Sequence, residues 1–274
     1  MVLGFGKVFA KAGFVVLTFD YRTWNDSDGV YCQKLNLNSA QQKQAKSSDT
    51  DDGQGKQVSH LELHLCRQVV DMDWQIADIE AAFSFLLGES CVDPKRIGLW
   101  GISQGGGHVI TLGSRLRGKI AAIVAQVPSC GNAGAGSPLS LEKEAEEDAT
   151  ARARGISPLS VVQGVSDHHL PGMDGVPNMQ KLVRYRPLDT AHLITCPVLV
   201  VDVDQEEMFD RKLNGQRAFE IVQARNPQSK YMVLPGRHYD AYDGPAGQFR
   251  KGTSAAVDFF QKHLAAEDIQ KSKI

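Results

Sequence analysis

The stretch GISQGGGH, residues 101–108, carries a Gly-x-Ser-x-Gly pattern centred on Ser103. The apolar run RIGLWG leads into it, and a helical pattern follows it directly. A serine in this position is typical of a nucleophile elbow, because the tight turn presents the serine oxygen at the carboxyl edge of a sheet. Serine by itself is a weak nucleophile, so the interpretation requires a base and an acid elsewhere in the chain. The competing interpretation is a serine in an ordinary glycine-rich turn.

The candidate base is His238, in the sequence LPGRHYD, which comes just after the last apolar run of the chain. A loop at this point would return the histidine to the edge of the sheet where Ser103 lies. The order of serine first and histidine last is the order found in one class of serine hydrolases. Most histidines in loops are solvated bystanders, but the position of His238 ahead of a final helix pattern favours catalysis.

The acid that would orient this base is expected just after the apolar run PVLVVDV. Four carboxylates stand there: Asp202, Asp204, Glu206 and Glu207. Asp202 belongs to the end of the strand and Asp204 begins the loop, whereas Glu206 stands where the loop can reach the histidine. Its role would be to select the imidazole tautomer and to stabilise the imidazolium. We favour Glu206, keep Asp204 as the alternative, and interpret most of the cluster as a solvated acidic loop.

The elements that must position these residues alternate along the chain. Continuous apolar runs predict buried parallel strands at residues 14–21, 96–101, 120–128, 197–203 and 231–234. Helical patterns predict helices at residues 72–87, 104–116, 211–224 and 252–264. Strands alternating with helices of this length predict an α/β fold, with a mostly parallel sheet flanked by helices.

Two segments interrupt this alternation within what we expect to be a single domain, residues 1–274. Residues 30–66 are polar, with QQKQAKSSDTDDGQGKQ at their centre, and we predict a disordered insertion there. Residues 129–194 contain LEKEAEEDATARARG and several proline and glycine breaks. We predict that this second segment is a helical cap inserted between two core strands.

Composition argues against several classes of function. The formal net charge of -2 gives no reason to expect a nucleic-acid partner. No apolar run approaches the roughly 18 residues needed to cross a bilayer, and the start lacks the pattern of a signal peptide. The five cysteines are an odd number without regular spacing, which favours reduced thiols, a cytoplasmic location and no zinc site.

Four regions in combination resemble α/β-hydrolases of the dienelactone-hydrolase-like group, particularly esterases and acyltransferases of microbial secondary metabolism. They are AGFVVLTFDYRTWNDSDG, VDPKRIGLWGISQGGGHV, CPVLVVDVDQEEMFD, and LPGRHYDAYDG with AAVDFFQKHL. The resemblance implies the α/β-hydrolase fold, aligns the family's acid with Glu206, and maps the first oxyanion donor to the backbone N–H of Gln104. It also implies a small-molecule ester or thioester substrate, with no cofactor and no metal.

The chain departs from that family's pattern at two places. The family's first strands, and the HG-type loop that donates the second oxyanion N–H, would precede Met1. Losing one oxyanion donor costs on the order of 100- to 1000-fold in rate. Residues 30–66 look foreign, since family members pass from DSDG to a sequence like RQVVDMDW, which resumes here at Arg67. We hypothesise a retained intron at 30–66 and a start codon placed too late, with a shortened paralogue as the alternative.

Three functions follow from these residues. The first is a serine hydrolase that cleaves carboxylic esters, in which His238 accepts the proton of Ser103 and Glu206 orients His238. The second is an acyltransferase or thioesterase that tailors a polyketide-like product. The third is a non-catalytic, truncated remnant. The sequence leaves open the substrate and whether the chain forms a homodimer.

His108 follows the glycines in the first turns of a predicted helix, and we interpret it as structural. Three further side chains are candidates to face the acyl pocket: Trp24, Met173 and Tyr242.

Overall fold

The structure is a computed structural model that describes residues 2–34, 62–66, 69–131, 139–154, 178–243 and 247–265. Its strands are β1 (Val30–Lys34), β2 (Glu62–Cys66), β3 (Gly98–Ile102), β4 (Ala122–Gln126), β5 (Val198–Val203) and β6 (Lys230–Leu234). Its helices are α1 (Val2–Lys11), α2 (Met72–Gly88), α3 (Gln104–Arg115), α4 (Leu139–Ala153), α5 (Met179–Val183), α6 (Pro187–Ala191), α7 (Gly215–Gln223), α8 (Asp240–Asp243) and α9 (Gln248–His263). Within these ranges, no helix combines the length and the apolar character that crossing a bilayer requires.

The centre of the fold is a parallel sheet of four strands in the order β3-β4-β5-β6. Every residue of β4 and β5 is buried, because helices cover both faces of the sheet. Successive side chains of a strand point to opposite faces. Ile123 therefore joins a core cluster with α3 and α7, while Val124 joins a second cluster with α1 and α9. The predicted α/β fold with a mostly parallel sheet flanked by helices is confirmed.

The predicted strands at 96–101, 120–128, 197–203 and 231–234 correspond to β3, β4, β5 and β6, with bounds that differ by a few residues. The four predicted helices correspond to α2, α3, α7 and α9. The predicted strand at 14–21 is wrong, since these residues form no strand pairing. A strand needs a neighbour with which its backbone can exchange hydrogen bonds, and among the described strands β3 pairs only with β4. Some apolar side chains of this run, such as Phe14, instead pack against the core cluster of α1 and α9. Others, such as Val15, are exposed.

The segment 30–66, predicted as a disordered insertion, is ordered at both ends. Strands β1 and β2 pair antiparallel, with Val30 opposite Cys66 and Lys34 opposite Glu62. At these ends the two backbones satisfy each other's hydrogen bonds. Residues 35–61 lie outside the described residues, so disorder there stays a prediction.

The segment 129–194, predicted as a helical cap, contains the helices α4, α5 and α6. Residues 132–138 and 155–177 of this segment lie outside the described residues. Its role as a cap therefore stays a prediction. The C-terminal end of the segment packs back onto the core, where Ala191 and Ile194 are fully buried in the cluster of α3 and α7.

Helix α3 begins directly after Ser103 and is held in place by its buried face. Ile110 is fully buried in this face, and Ile110→Ala is expected to lower the free energy of unfolding by about 2–5 kcal/mol through the cavity it leaves. The matched control is Val15→Ala, because Val15 is 60% exposed and its truncation should change stability by less than about 0.5 kcal/mol. Urea unfolding followed by circular dichroism measures both. Equal losses in the two variants would contradict the described core.

Candidate active site

Ser103 lies in a strained turn between the last residue of β3 and the first residue of α3. Its backbone has φ 55° and ψ -120°, a conformation that residues with side chains rarely adopt and that costs of order 1–3 kcal/mol. Two hydrogen bonds hold this turn against the neighbouring strand. The Ser103 N–H donates to the Gln126 carbonyl at 2.9 Å, and the Ser129 N–H donates to the Ser103 carbonyl at 2.9 Å. The described geometry is that of a nucleophile elbow.

The glycines around Ser103 differ in what they contribute to this turn. A Cβ atom at Gly101 would overlap the carbonyl group of Gly105, and one at Gly106 would lie 2.9 Å from the Cα of Pro128. A Cβ atom at Gly107 would overlap the carbonyl of Ser129. In contrast, a Cβ atom at Gly105 would meet nothing within 4 Å. The turn and the start of the helix therefore require glycine at Gly101, Gly106 and Gly107, while Gly105 has room for a side chain.

Ser103, His238 and Glu206 form a continuous chain of hydrogen bonds. The Nε2 atom of His238 lies 3.0 Å from Ser103 Oγ, and its Nδ1 atom lies 2.8 Å from Glu206 Oε2. A carboxylate only accepts hydrogen bonds, so Nδ1 carries the proton of the neutral ring and Nε2 accepts from the serine hydroxyl. The His238 and Glu206 side chains are 1% and 4% exposed, which strengthens their interaction by excluding water. The structure thus brings together the three residues singled out in the sequence.

Glu206, rather than the alternative Asp204, contacts the histidine. The Oε1 atom of Glu206 also accepts from the backbone N–H groups of Met208 at 2.9 Å and Phe209 at 3.3 Å. These contacts hold the carboxylate in one orientation beside the imidazole. The ring of Phe209 packs edge-on against His238, with ring centroids 5.4 Å apart, and covers the pair on one side.

The neighbouring carboxylates hold the backbone of the histidine loop. Asp204 Oδ1 accepts from the Gly236 N–H at 2.8 Å, and Glu207 Oε2 accepts from the His238 N–H at 3.0 Å. Both residues are exposed, as the interpretation of a solvated acidic loop expects, and each also forms a charge-assisted hydrogen bond to a specific N–H group. Glu207 and Glu206 therefore hold the same residue, one through its backbone and the other through its ring.

Asp202 is a buried carboxyl beneath this loop and was not recognised as such in the sequence. It is 2% exposed, and its Oδ2 atom accepts from the Tyr231 hydroxyl at 2.8 Å. Burial raises the pKa of Asp202 to about 7, the Tyr231 hydrogen bond opposes that shift, and the Glu206 charge adds to it. Its carboxyl group packs so closely against Gly215 that a Cβ atom there would overlap it. A local signal for this burial exists, since Asp202 is the one charged residue in the run PVLVVDV.

Gln104, mapped by resemblance to the oxyanion donor, is the first residue of α3. The first N–H groups of a helix have no acceptor within the helix and lie at the positive end of its dipole. The Gln104 N–H can therefore donate to an oxygen that becomes negative beside Ser103. The side chain of Gln104 points toward α2, where its Nε2 donates to Gln75 Oε1 at 2.7 Å and to Met72 Sδ at 3.0 Å.

The three candidates for the acyl pocket have different outcomes. The Trp24 indole donates to the Val69 carbonyl at 2.8 Å and ties two loops together. The Tyr242 ring lies beside His238, with ring centroids 5.9 Å apart. Met173 lies outside the described residues. In the part of the chain that the structure describes, no three His, Cys, Asp or Glu side chains converge as metal ligands.

Comparisons by sequence found relatives of this chain at low identity. No protein-family model matches the chain. An uncharacterized 31.7 kDa protein of the traX-finO intergenic region of Escherichia coli is 25% identical over 290 residues, covering 95% of this chain and 85% of that protein. The quorum-quenching protein AidA of Acinetobacter baumannii is 22% identical over 286 residues, covering 94% of this chain and 80% of AidA.

Solved structures show the same fold at low sequence identity. DcsB, in complex with its substrate analogue, has a TM-score of 0.56 and 19% identity, covering 72% of this chain and 75% of DcsB. The α/β hydrolase GrgF of Penicillium sp. sh18 has a TM-score of 0.55 and 18% identity, covering 73% and 75%. A monoacylglycerol lipase of Paleococcus ferrophilus has a TM-score of 0.51 and 20% identity, covering 72% and 77%. These likenesses show that the chain has the α/β-hydrolase fold.

The two glycines that flank Ser103 provide a matched test of the elbow. Gly101→Ala forces a side chain into the Gly105 carbonyl and is expected to lower the free energy of unfolding by about 1–3 kcal/mol. Gly105→Ala meets open space within a helix and is expected to leave stability unchanged or to raise it by up to about 1 kcal/mol. Urea unfolding of both variants measures the difference. A Gly101→Ala protein as stable as the Gly105→Ala protein would contradict the described turn.

The buried carboxyl of Asp202 predicts a stability that falls as pH rises. Its pKa is about 7 in the folded chain and about 3.9 in an unfolded one, so the folded state binds the extra proton between these values. The free energy of unfolding is therefore highest below about pH 4, falls as the pH rises toward the folded pKa of about 7, and changes little above it. Between pH 5 and pH 8, wild type should lose roughly 3 kcal/mol more than Asp202→Asn. Urea unfolding at several pH values tests this, and parallel curves for the two proteins would refute it.

Proposed function

We propose that this chain, which has the α/β-hydrolase fold, is a serine hydrolase that cleaves carboxylic esters of small molecules. The observation that carries the proposal is the buried chain of hydrogen bonds from Glu206 through His238 to Ser103. A fold alone does not determine chemistry, since the same scaffold supports many reactions. This constellation supports the proposal, because a nucleophile, a base and an orienting acid in hydrogen-bond reach are the parts that acyl transfer needs.

The first half of the reaction forms an acyl-enzyme. As Ser103 Oγ attacks the ester carbonyl carbon, its proton moves to His238 Nε2 and the carbonyl oxygen becomes an oxyanion. The negative charge of Glu206 stabilises the imidazolium that results. When the tetrahedral intermediate collapses, the bond from carbon to the alkoxy oxygen breaks, and His238 returns the proton to the leaving alcohol. The acyl group then remains on Ser103.

The second half repeats this cycle with water. His238 Nε2 removes a proton from a water molecule, whose oxygen attacks the acyl carbon, and a second oxyanion forms. Collapse expels Ser103 Oγ, which takes its proton back from His238, and the carboxylic acid leaves. In both halves the Gln104 N–H at the start of α3 donates to the oxyanion. Apart from the ester and water, each step uses only side chains and backbone of this chain, so the proposed reaction needs no cofactor.

The state of the cysteines supports a cytoplasmic site of action, which we propose together with the activity. Cys130 and Cys196 are buried free thiols. Cys130 packs in the core cluster of α3 and α7. Buried cysteines kept as thiols are characteristic of proteins that fold in a reducing compartment.

Ser103→Ala is expected to abolish turnover of p-nitrophenyl esters, with kcat/KM reduced by roughly 10,000-fold or more, because the nucleophile is lost. Glu206→Gln should reduce kcat by roughly 100- to 10,000-fold with KM nearly unchanged, since the amide can present the wrong group to the imidazole. The control is Ser84→Ala on the exposed face of α2. Rates are measured across a series of acyl chain lengths, with labelling by a fluorophosphonate probe. Equal rates for wild type and Ser103→Ala would refute the proposal.

A further inference from the structure

His108 is buried five residues after Ser103 and belongs to a polar network that the proposed reaction does not use. It is fully buried on α3, four residues after Gln104, so the two side chains lie on the same face of the helix. Both contact one side chain of α2, because His108 Nε2 lies 2.9 Å and Gln104 Nε2 lies 2.7 Å from Gln75 Oε1. On its other side, His108 Nδ1 lies 2.9 Å from the Tyr185 hydroxyl.

The direction of each hydrogen bond in this network follows from the chemistry of its members. Burial lowers the pKa of His108 to about 3, so the ring is neutral and has one donor and one acceptor. Gln75 Oε1 only accepts, so the proton is on Nε2 and Nδ1 accepts from the Tyr185 hydroxyl. Burial also holds the pKa of Tyr185 well above its usual value, which keeps that hydroxyl a donor. Both nitrogen atoms of the buried ring are therefore satisfied.

Two tyrosine rings pack against the His108 imidazole and restrict its orientation. The Tyr185 ring meets the imidazole nearly at right angles, with centroids 5.3 Å apart, and the Tyr21 ring does so at 6.1 Å. Buried polar groups are costly unless bonded, and a fully bonded network selects one arrangement of the groups in it. The network thus places the Gln75 carbonyl oxygen at a defined point on α2.

That oxygen and the Met72 sulfur together hold the side chain of Gln104. Gln104 is also the residue whose backbone N–H faces the oxyanion in the proposed reaction. An oxyanion donor must lie about 3 Å from the developing charge, and a misplacement of about 1 Å can cost roughly 100-fold in rate. The position of this N–H is therefore sensitive to how firmly the first residue of α3 is tied to α2.

We propose that His108 and Tyr185 are positioning residues, which hold Gln75 and through it Gln104 so that the Gln104 N–H meets the oxyanion. The inference rests on the proposed function for its catalytic meaning. It extends that function by linking the elbow to the segment between α5 and α6, where Tyr185 lies. Tyr185, which is not one of the three catalytic side chains, thereby affects how strongly the transition state is stabilised.

Tyr185→Phe is the mildest test, since it removes one hydroxyl and keeps the ring. We expect kcat for an ester to fall roughly tenfold with KM unchanged, less than the roughly 100- to 1000-fold loss of a whole donor. The inhibition constant of an alkyl boronic acid, whose adduct with Ser103 places an oxygen in the oxyanion position, should rise by the same factor. His108→Gln, whose amide can still donate to Gln75, should retain more activity than His108→Leu. A lowered melting temperature with kcat and boronic acid affinity unchanged would overturn the inference.

A double-mutant cycle identifies the route of the effect. If the network acts through the Gln104 side chain, Tyr185→Phe should cost nothing further in a Gln104→Ala background, which retains the backbone N–H. Losses that multiply in the double variant would overturn the inference. Proton–nitrogen NMR provides a reading that needs no turnover: Tyr185→Phe should shift the Gln104 amide signal and leave that of Val200 in β5 in place. If wild type lacks turnover that depends on Ser103, the proposed function fails, whereas an unshifted Gln104 amide refutes the positioning role.

Discussion

The hydrogen bond between Ser103 Oγ and His238 Nε2 joins residues 135 positions apart in the chain, and it exists only because the sheet is parallel. Ser103 follows β3, Glu206 follows β5 and His238 follows β6. In a parallel sheet the carboxyl ends of all strands meet at one edge, so the loops that leave those ends converge. The two core clusters that clamp the sheet between helices keep the strands in register. A slip of β6 against β5 would separate the imidazole from its carboxylate.

Burial gives this hydrogen-bond chain its strength and also restricts the charges around it. Glu206 and His238 are nearly excluded from water, where a charge is costly unless it is bonded. Glu206 is bonded by the imidazole and by two backbone N–H groups, so its negative charge is tolerated. Asp202 lies nearby with the Tyr231 hydroxyl as its bonded partner, and burial raises its pKa to about 7. Two buried carboxyl groups of one loop region thus differ in their hydrogen-bond partners, with three donors on Glu206 and the Tyr231 hydroxyl on Asp202.

Two polar networks converge on the first turn of α3 from opposite sides. The first reaches Ser103 from the histidine loop, and the second reaches Gln104 from Tyr185 through His108 and Gln75. Between them lies the strained backbone of Ser103. Strain of this kind persists only where the surroundings determine it completely, and both networks, together with the close-packed glycines, supply such surroundings.

The sequence by itself determined the class of fold, four core strands, four helices and the order of the three residues of the candidate triad. Local patterns suffice for these features, since a continuous apolar run indicates a strand buried on both faces and Gly-x-Ser-x-Gly indicates a tight turn. Only the tertiary structure decided that residues 14–21 pair with no strand, that Glu207 and Asp204 bond backbone N–H groups, and that His108 joins two helices. Those outcomes depend on which neighbour each group meets across long stretches of chain. A residue type states what a side chain can donate or accept, and the folded chain alone determines the partner.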